Sequence, residues 1–331
     1  MSNKNVLVSG GAGYIGSHTI LALLDKDYKI TVIDDMSTGS EQTKSYLESL
    51  GVEFVIGNIN EIDKVKSIIK EKQIETVLNF AGSIVVSESV ENPLKYYENN
   101  FSNTLLFLKA CLNENIKRFV FSSTASVYGD ANNEPVTETS IVAPMNPYAE
   151  SKLMVEKALA DIKIAHPEFN YGILRYFNVA GADHKGRIGQ MTKDATHLIK
   201  VSTQKALKKR DSLEIFGTDY PTFDGTCIRD YIHISDLAEA HVNLVEYMEK
   251  TNKSNLFNCG YGDGFSVKQV ISELENIIGE SLNAKESTRR PGDPVSIVAN
   301  NTKIKSELNW QPQHNNLTEI ITSALQWEKT L

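Results

Sequence analysis

Cysteine is scarce: Cys111, Cys227 and Cys259 are the only three, widely spaced and with no CxxC among them. Neither a zinc ribbon nor a disulfide framework is signalled, and reduced thiols in a cytoplasmic protein are the better reading. No apolar run approaches the length of a membrane span, and no secretory h-region with a cleavage site follows the N-terminus. The seven histidines are scattered without HExxH or paired-ligand spacing, so no metal is expected. Basic blocks are also missing and the net charge is -8, which argues against nucleic acid as a partner. There is no internal repeat and no low-complexity segment.

What remains is an ordinary soluble balance, 41% hydrophobic and 23% charged over 331 residues, enough for one large or two moderate domains. The first half alternates short apolar runs with helical patterns. Strands are predicted at Val6–Val8, Ile30–Ile33, Glu53–Ile56, Thr76–Leu78, Arg118–Phe121 and Tyr171–Leu174. Helices are predicted at Ile15–Leu24, Glu61–Lys70, Leu94–Asn113 and Tyr148–Ile164. Near-continuous apolar strands separated by helices imply a parallel sheet covered on both faces, a doubly wound α/β architecture of Rossmann type. Past Asn178 the pattern breaks into a polar loop over Gly181–Gly189. Mixed elements follow: helices near Ala195–Leu207, Asp236–Met248, Val267–Ile278 and Leu317–Trp327, and a strand at Leu213–Phe216. The expected division is 1–180 for a dinucleotide domain and 181–331 for a smaller α/β substrate domain. Some elements after residue 230 are expected to pack back on the first.

The turn after the first strand reads Gly10-Gly11-Ala12-Gly13-Tyr14-Ile15-Gly16. Glycine there tolerates positive φ and lets backbone N–H groups approach a pyrophosphate, beside the positive end of the helix that follows. Asp34, closing the second strand, stands where an acid meets the adenosine ribose 2′-OH. Asp35 follows with no adjacent cation, so a 2′-phosphate would be repelled and NAD is favoured over NADP.

Tyr148-Ala149-Glu150-Ser151-Lys152, introduced by Asn146-Pro147, places a phenol and an ammonium on one helical face. The ammonium is expected to lower the phenol pKa and make Tyr148 a general base for an alcohol. An isolated YxxxK is weak, since a partly buried ring beside a solvated lysine also produces it. Phe121-Ser122-Ser123-Thr124-Ala125-Ser126-Val127-Tyr128-Gly129 leaves the fifth strand at the sheet edge where ligands bind, and offers a hydroxyl for the reacting oxygen.

These segments resemble the extended short-chain dehydrogenase/reductase family, in particular its UDP-sugar 4-epimerases. The resemblance runs through almost the whole chain. It takes in SGGAGYIGSH from Ser9, NFAG from Asn79, SESVENPLKYYENN from Ser87, FSSTASVYGD from Phe121 and NPYAESKLMVE from Asn146. It continues with LRYFNVAGAD from Leu174, IFGTDYPTFDGTCIRDYIH from Ile215 and RRPGD from Arg289. The resemblance implies interconversion of UDP-glucose and UDP-galactose, with NAD taking and returning a hydride at hexose C4. Tyr148 is then the base, Lys152 its partner and a nicotinamide-ribose contact, and Thr124 the hydroxyl at O4. It places the cofactor against Gly10, Gly13, Tyr14, Ile15, Gly16, Asp34, Asn58, Ile59, Phe80, Ala81, Gly82, Asn99, Ser122 and Tyr176. It places the UDP-hexose against Asn178, His197, Leu198, Phe216, Arg229, Arg290 and Asp293, and implies a homodimer.

Four positions depart from the family pattern. Asn58 replaces an aspartate, Ser83-Ile84 replaces a cofactor-contacting lysine, His197 replaces an asparagine, and Ala149 replaces a glycine. Ile297 matches a position lining the sugar pocket, and its stiff, branched side chain predicts poor use of 2-N-acetylated sugars. A related dehydratase needs Asp-Glu after the threonine, where this chain has Ala125-Ser126. A non-catalytic NAD sensor would be expected to lack the tyrosine or the lysine.

Overall fold

The structure is a computed structural model that describes residues 4–131, 135–192, 195–290 and 292–331. Contacts divide it into two compact units. The first comprises Met1–Val127, Pro144–Arg175 and Ala238–Phe257, and the second Tyr128–Ala143, Tyr176–Leu237 and Asn258–Leu331.

The first unit is built on a seven-stranded sheet. Its strands are β1 (Asn5–Ser9), β2 (Lys29–Asp34), β3 (Glu53–Ile56), β4 (Thr76–Asn79), β5 (Arg118–Thr124), β6 (Asn170–Tyr176) and the later strand Asn255–Cys259. The order across the sheet is Asn255–Cys259, β6, β5, β4, β1, β2, β3. β1 pairs in parallel with both β2 and β4, and the parallel ladder continues from β2 to β3 and from β4 to β5. All seven residues of β5 are buried, as expected of a strand covered on both faces. The connecting helices are α1 (Tyr14–Leu24), α2 (Glu41–Ser49), α3 (Ile62–Glu71), α4 (Val86–Glu91), α5 (Pro93–Tyr96), α6 (Asn103–Asn113) and α7 (Pro147–Ala165). Val65 and Ile69 of α3, Phe107 and Cys111 of α6, and Phe119 of β5 share one buried core. The sheet order reverses at β1 and β4, so the loops leaving those strands flank the crevice where doubly wound sheets bind ligands.

The predicted helix Leu94–Asn113 is not continuous: α5 runs into a π-helical turn at Tyr97–Ser102 before α6 begins. Asn99 and Asn100 lie on that wide turn and bond out of it. Asn99 Nδ2 reaches Ser83 Oγ at 3.0 Å, and Asn100 Oδ1 accepts from Ser83 N at 2.7 Å. Side-chain bonds to a distant loop hold the turn open, and helical periodicity carries no mark of them.

The second unit is α/β with short strands. β7 (Asn178–Ala180) pairs with β9 (Ile228–His233), which is flanked by Gly264–Ser266 and Ser296–Ile297. β8 (Glu214–Phe216) pairs with Lys285–Ser287. Helix α8 (Leu198–Ala206) and the last helix, Leu317–Glu328, complete the parts that matter for the site. Asp230 on β9 organises the surrounding loops: its fully buried carboxylate accepts N–H groups from Tyr261, Gly262 and Ala299 at 2.9–3.1 Å. Among the described residues no helix is long and apolar enough to cross a membrane.

Candidate active site

β1 delivers its chain into a turn that only glycine can make. Gly10 has φ +71°, and a Cβ on it would lie 2.7 Å from the Ala81 backbone nitrogen beyond β4. A Cβ on Gly16 would lie 2.4 Å from the Gly10 carbonyl oxygen, so the first turn of α1 packs directly on the loop. Gly13 caps α1 without a side-chain bond, so no cap side chain competes with an anion for this helix start. Asp34 lies alongside and accepts from Ala12 N and Met36 N, each at 2.9 Å. Burial pushes its pKa up, and the two backbone bonds oppose that. These residues fit a dinucleotide: a cradle lined with backbone, a helix N-terminus, and an acid with no cation beside it.

The Asn58 departure has a local physical reason. Its Nδ2 donates to Asp35 Oδ2 at 2.9 Å, and its Oδ1 accepts from Asn60 N at 3.1 Å. An aspartate at 58 would set two carboxylates against each other. Ser83, where the family lysine is missing, is instead bonded to Asn99 and Asn100.

Asn146 starts α7 by accepting from Ala149 N at 2.9 Å, with Pro147 at the first helical position. That start fixes Tyr148 and Lys152 against the C-terminal end of β5. Lys152 Nζ donates to the Ser122 carbonyl at 3.0 Å and lies 5.0 Å over the Phe121 ring. Thr124 is hydrogen-bonded to Tyr148. Its Oγ1 accepts from Ser126 N at 3.1 Å, which leaves the hydroxyl proton for the phenol oxygen. Thr124, Tyr148, Lys152 and Ser122 are therefore brought together within the first unit, and all four are buried.

The expected lowering of the Tyr148 pKa is not what the chain alone produces. Burial pushes the phenol up, because a phenolate is poorly solvated there, and the Thr124 bond pulls it down. Burial also pushes Lys152 down, to about 8.

In the second unit, Asn178 opens β7 opposite Tyr231. His197 caps α8, Leu198 begins it, and both line a cleft with Asn178, Gln190, Tyr231 and Trp327. His197 Nδ1 lies 3.2 Å from Gln190 Nε2; an amide nitrogen only donates, so the imidazole proton sits on Nε2. Burial pushes the His197 pKa down, keeping the ring neutral. Phe216 ends β8 with the Arg290 guanidinium 3.7 Å from its ring centre. Arg229 Nη1 donates to the Ile228 and Pro294 carbonyls at 2.9 Å, and its Nη2 lies 3.6 Å from Asp293. Pro291 of the RRPGD segment lies outside the described residues.

Sequence patterns singled out Ser126 only as a mark against a dehydratase, and did not single out Asn100 or Ser151. Only the spacing of Ser151 beside Lys152 could have hinted at the last. Asn100 Nδ2 donates to Ser151 Oγ at 3.1 Å, joining the π-helical turn to α7.

Residues 6–260 match the NAD dependent epimerase/dehydratase family. The chain belongs to that family. It is 48% identical over 330 residues to a UDP-glucose 4-epimerase of Azospirillum brasilense, covering 100% of this chain and 93% of the relative. A solved UDP-glucose 4-epimerase of Bifidobacterium longum, in complex with NAD+ and UDP, is 34% identical with TM-score 0.94 and covers 98% of each chain. A UDP-Glc/GlcNAc 4-epimerase of Campylobacter jejuni is 45% identical with TM-score 0.86 and covers 99% of each chain.

Proposed function

We propose that this enzyme interconverts UDP-glucose and UDP-galactose by transient oxidation at hexose C4, with NAD as its resident cofactor. The observation that carries the reading is the convergence of Thr124, Tyr148 and Lys152 at the end of a strand beside the dinucleotide turn. When bound, NAD supplies reversible hydride transfer. Tyr148 takes the proton from the sugar O4, Thr124 orients that oxygen, and Lys152 holds positive charge near the phenolate. Gly10, Gly13, Tyr14, Ile15 and Gly16 cradle the pyrophosphate. Asp34 takes the ribose, Asn58 and Ile59 flank the adenine, and Phe80, Ala81, Gly82, Asn99, Ser122 and Tyr176 line the nicotinamide side. Asn178, His197, Leu198, Phe216, Arg229, Arg290 and Asp293 hold the UDP-hexose, the two guanidiniums being suited to its pyrophosphate. The first unit thus supplies most of the cofactor contacts and the second most of the UDP contacts, in a cytoplasmic homodimer.

Purified protein, denatured without added nucleotide, is expected to release NAD or NADH, and the native protein to convert UDP-galactose to UDP-glucose. Absence of bound dinucleotide together with NADP-dependent activity would overturn the assignment. Arg290→Ala, which removes the guanidinium stacked on Phe216, is expected to raise KM for UDP-galactose about tenfold or more and to leave bound nicotinamide unchanged.

Use of N-acetylated sugars is a second reading, favoured by the Campylobacter jejuni relative. Ile297 is buried and pairs in register with Arg229. If it limits the pocket, the protein prefers UDP-galactose over UDP-N-acetylgalactosamine by about ten- to a hundredfold in kcat/KM, the scale of packing a bulky group into a full site. Ile297→Ala should then narrow the gap. Equal efficiency in the wild type would overturn the preference.

A further inference from the structure

A buried charge cluster lies one helical turn beyond Lys152. Ser123 Oγ donates to Glu156 Oε1 at 2.5 Å. Arg175 Nε lies 3.0 and 3.2 Å from the two Glu156 oxygens, and its Nη2 donates to Oε2 at 2.5 Å. Ser123, Glu156 and Arg175 are 0%, 6% and 5% exposed. Burying an ion pair is costly, and well-packed apolar residues usually serve the fold as well or better. The location supplies a reason for keeping it. Ser123 sits between Ser122, whose carbonyl receives Lys152, and Thr124, whose hydroxyl meets Tyr148. Tyr148, Lys152 and Glu156 follow at helical spacing along one face of α7. Helix and strand are therefore joined at three consecutive levels, by Tyr148 to Thr124, Lys152 to Ser122 and Glu156 to Ser123.

We propose that Glu156, clamped by Arg175 and bonded to Ser123, is a positioning residue that fixes the rise and rotation of α7 on β5 and keeps the charge beside Lys152 balanced. The inference rests on the reading of Tyr148 as base. Misplacement by about 1 Å costs on the order of a hundredfold in rate, so such a clamp has a large lever. Few other charges face this side of α7. Tyr171 on β6 feels the Glu156 charge. Tyr96 of α5 meets the Tyr148 ring edge-on at 6.4 Å and bonds Glu88 of α4, which is paired with Lys95. Glu98 on the π-helical turn is exposed, and Arg118 at the far end of β5 is paired with Glu75.

The test uses the NAD-loaded protein with Glu156→Gln, Arg175→Met, the double variant and Ser123→Ala. Glu156→Gln leaves a guanidinium unbalanced near Lys152, which favours the phenolate. The Tyr148 midpoint and the acid limb of kcat should move to lower pH. Arg175→Met leaves a carboxylate and should move both to higher pH. Glu156 lies two helical turns from Tyr148, about 12 Å along the helix, and a unit charge at that distance with an effective dielectric of about 20 implies a shift of up to roughly one pH unit. The double variant should return the midpoint to the wild-type value. Tyr148 is followed without turnover, as phenolate absorbance in each variant minus the same variant carrying Tyr148→Phe. In both single variants kcat is expected to fall about ten- to a hundredfold with KM for UDP-galactose little changed. Should a single variant fail to fold, Ser123→Ala keeps the ion pair and should lower kcat about three- to tenfold at nearly constant Tm. Unmoved midpoints, shifts in one common direction, or wild-type kcat in Ser123→Ala would overturn the proposal. Failure of the underlying reading is distinct, because Tyr148→Phe itself would then turn over normally.

Discussion

Tyr148→Phe is expected to lower kcat by about 10²- to 10⁴-fold, the range for a positioned general base, while the protein still purifies with its nicotinamide cofactor. The ring stays in place: it is 9% exposed and packs edge-on against Tyr96 at 6.4 Å. Only the oxygen bonded to Thr124 is lost. That leaves the Thr124 proton, oriented by Ser126 N, without its acceptor. A modest loss of stability, about 1 kcal/mol, is expected beside the much larger loss in rate. The cofactor contacts proposed above lie on the glycine turn and at Asp34, so retention should be near normal. Turnover is scored with UDP-galactose at saturating concentration, and nicotinamide after denaturation. Near-normal kcat would remove Tyr148 as base, whereas loss of both activity and cofactor would mean that the phenol oxygen anchors NAD as well.

The environment explains why this base needs help. Burial disfavours the phenolate, and the same burial disfavours the ammonium of Lys152. Both charges become favourable only together, as a pair of opposite sign in a dry site. The i, i+4 spacing of Tyr148 and Lys152 was readable in the sequence because it is local to one helix. The sign of the burial effect was not, because it depends on Phe121, Tyr96 and the β5 backbone. The same division runs through the molecule. The glycine turn, the strands beside it and the Asn146-Pro147 start of α7 follow from short-range chemistry and were legible. The π-helical turn at Tyr97–Ser102 was not, since Asn99 and Asn100 are held by Ser83 and Ser151 from elsewhere in the chain. Glu156 was half legible. Its spacing from Lys152 is local, but its partners Ser123 and Arg175 lie on two other strands.

Gly16→Ala is expected to yield protein with less than about a tenth of the normal bound nicotinamide and a Tm lowered by several degrees. The added Cβ would lie 2.4 Å from the Gly10 carbonyl oxygen and 3.0 Å from the Gly11 Cα. Both are backbone atoms, so no side-chain rotation relieves the clash, and either α1 or the loop must move. Overpacking of this kind costs about 1–3 kcal/mol. The movement also pulls the first-turn N–H groups away from the place where a pyrophosphate would sit. Gly13 provides the control. Its φ is -79°, a conformation open to alanine, and its Cβ would lie 3.2 Å from the Gly10 oxygen, a contact that a few tenths of an ångström relieves. Gly13→Ala should therefore lose less stability and retain more cofactor than Gly16→Ala. Measuring nicotinamide per protomer and Tm for both variants decides the matter. Equal, wild-type retention in the two would show that the turn tolerates side chains and does not approach the pyrophosphate with its backbone. Equal, complete loss in a folded protein would instead mean that the cofactor, rather than the Gly10 carbonyl, fills the space at both positions.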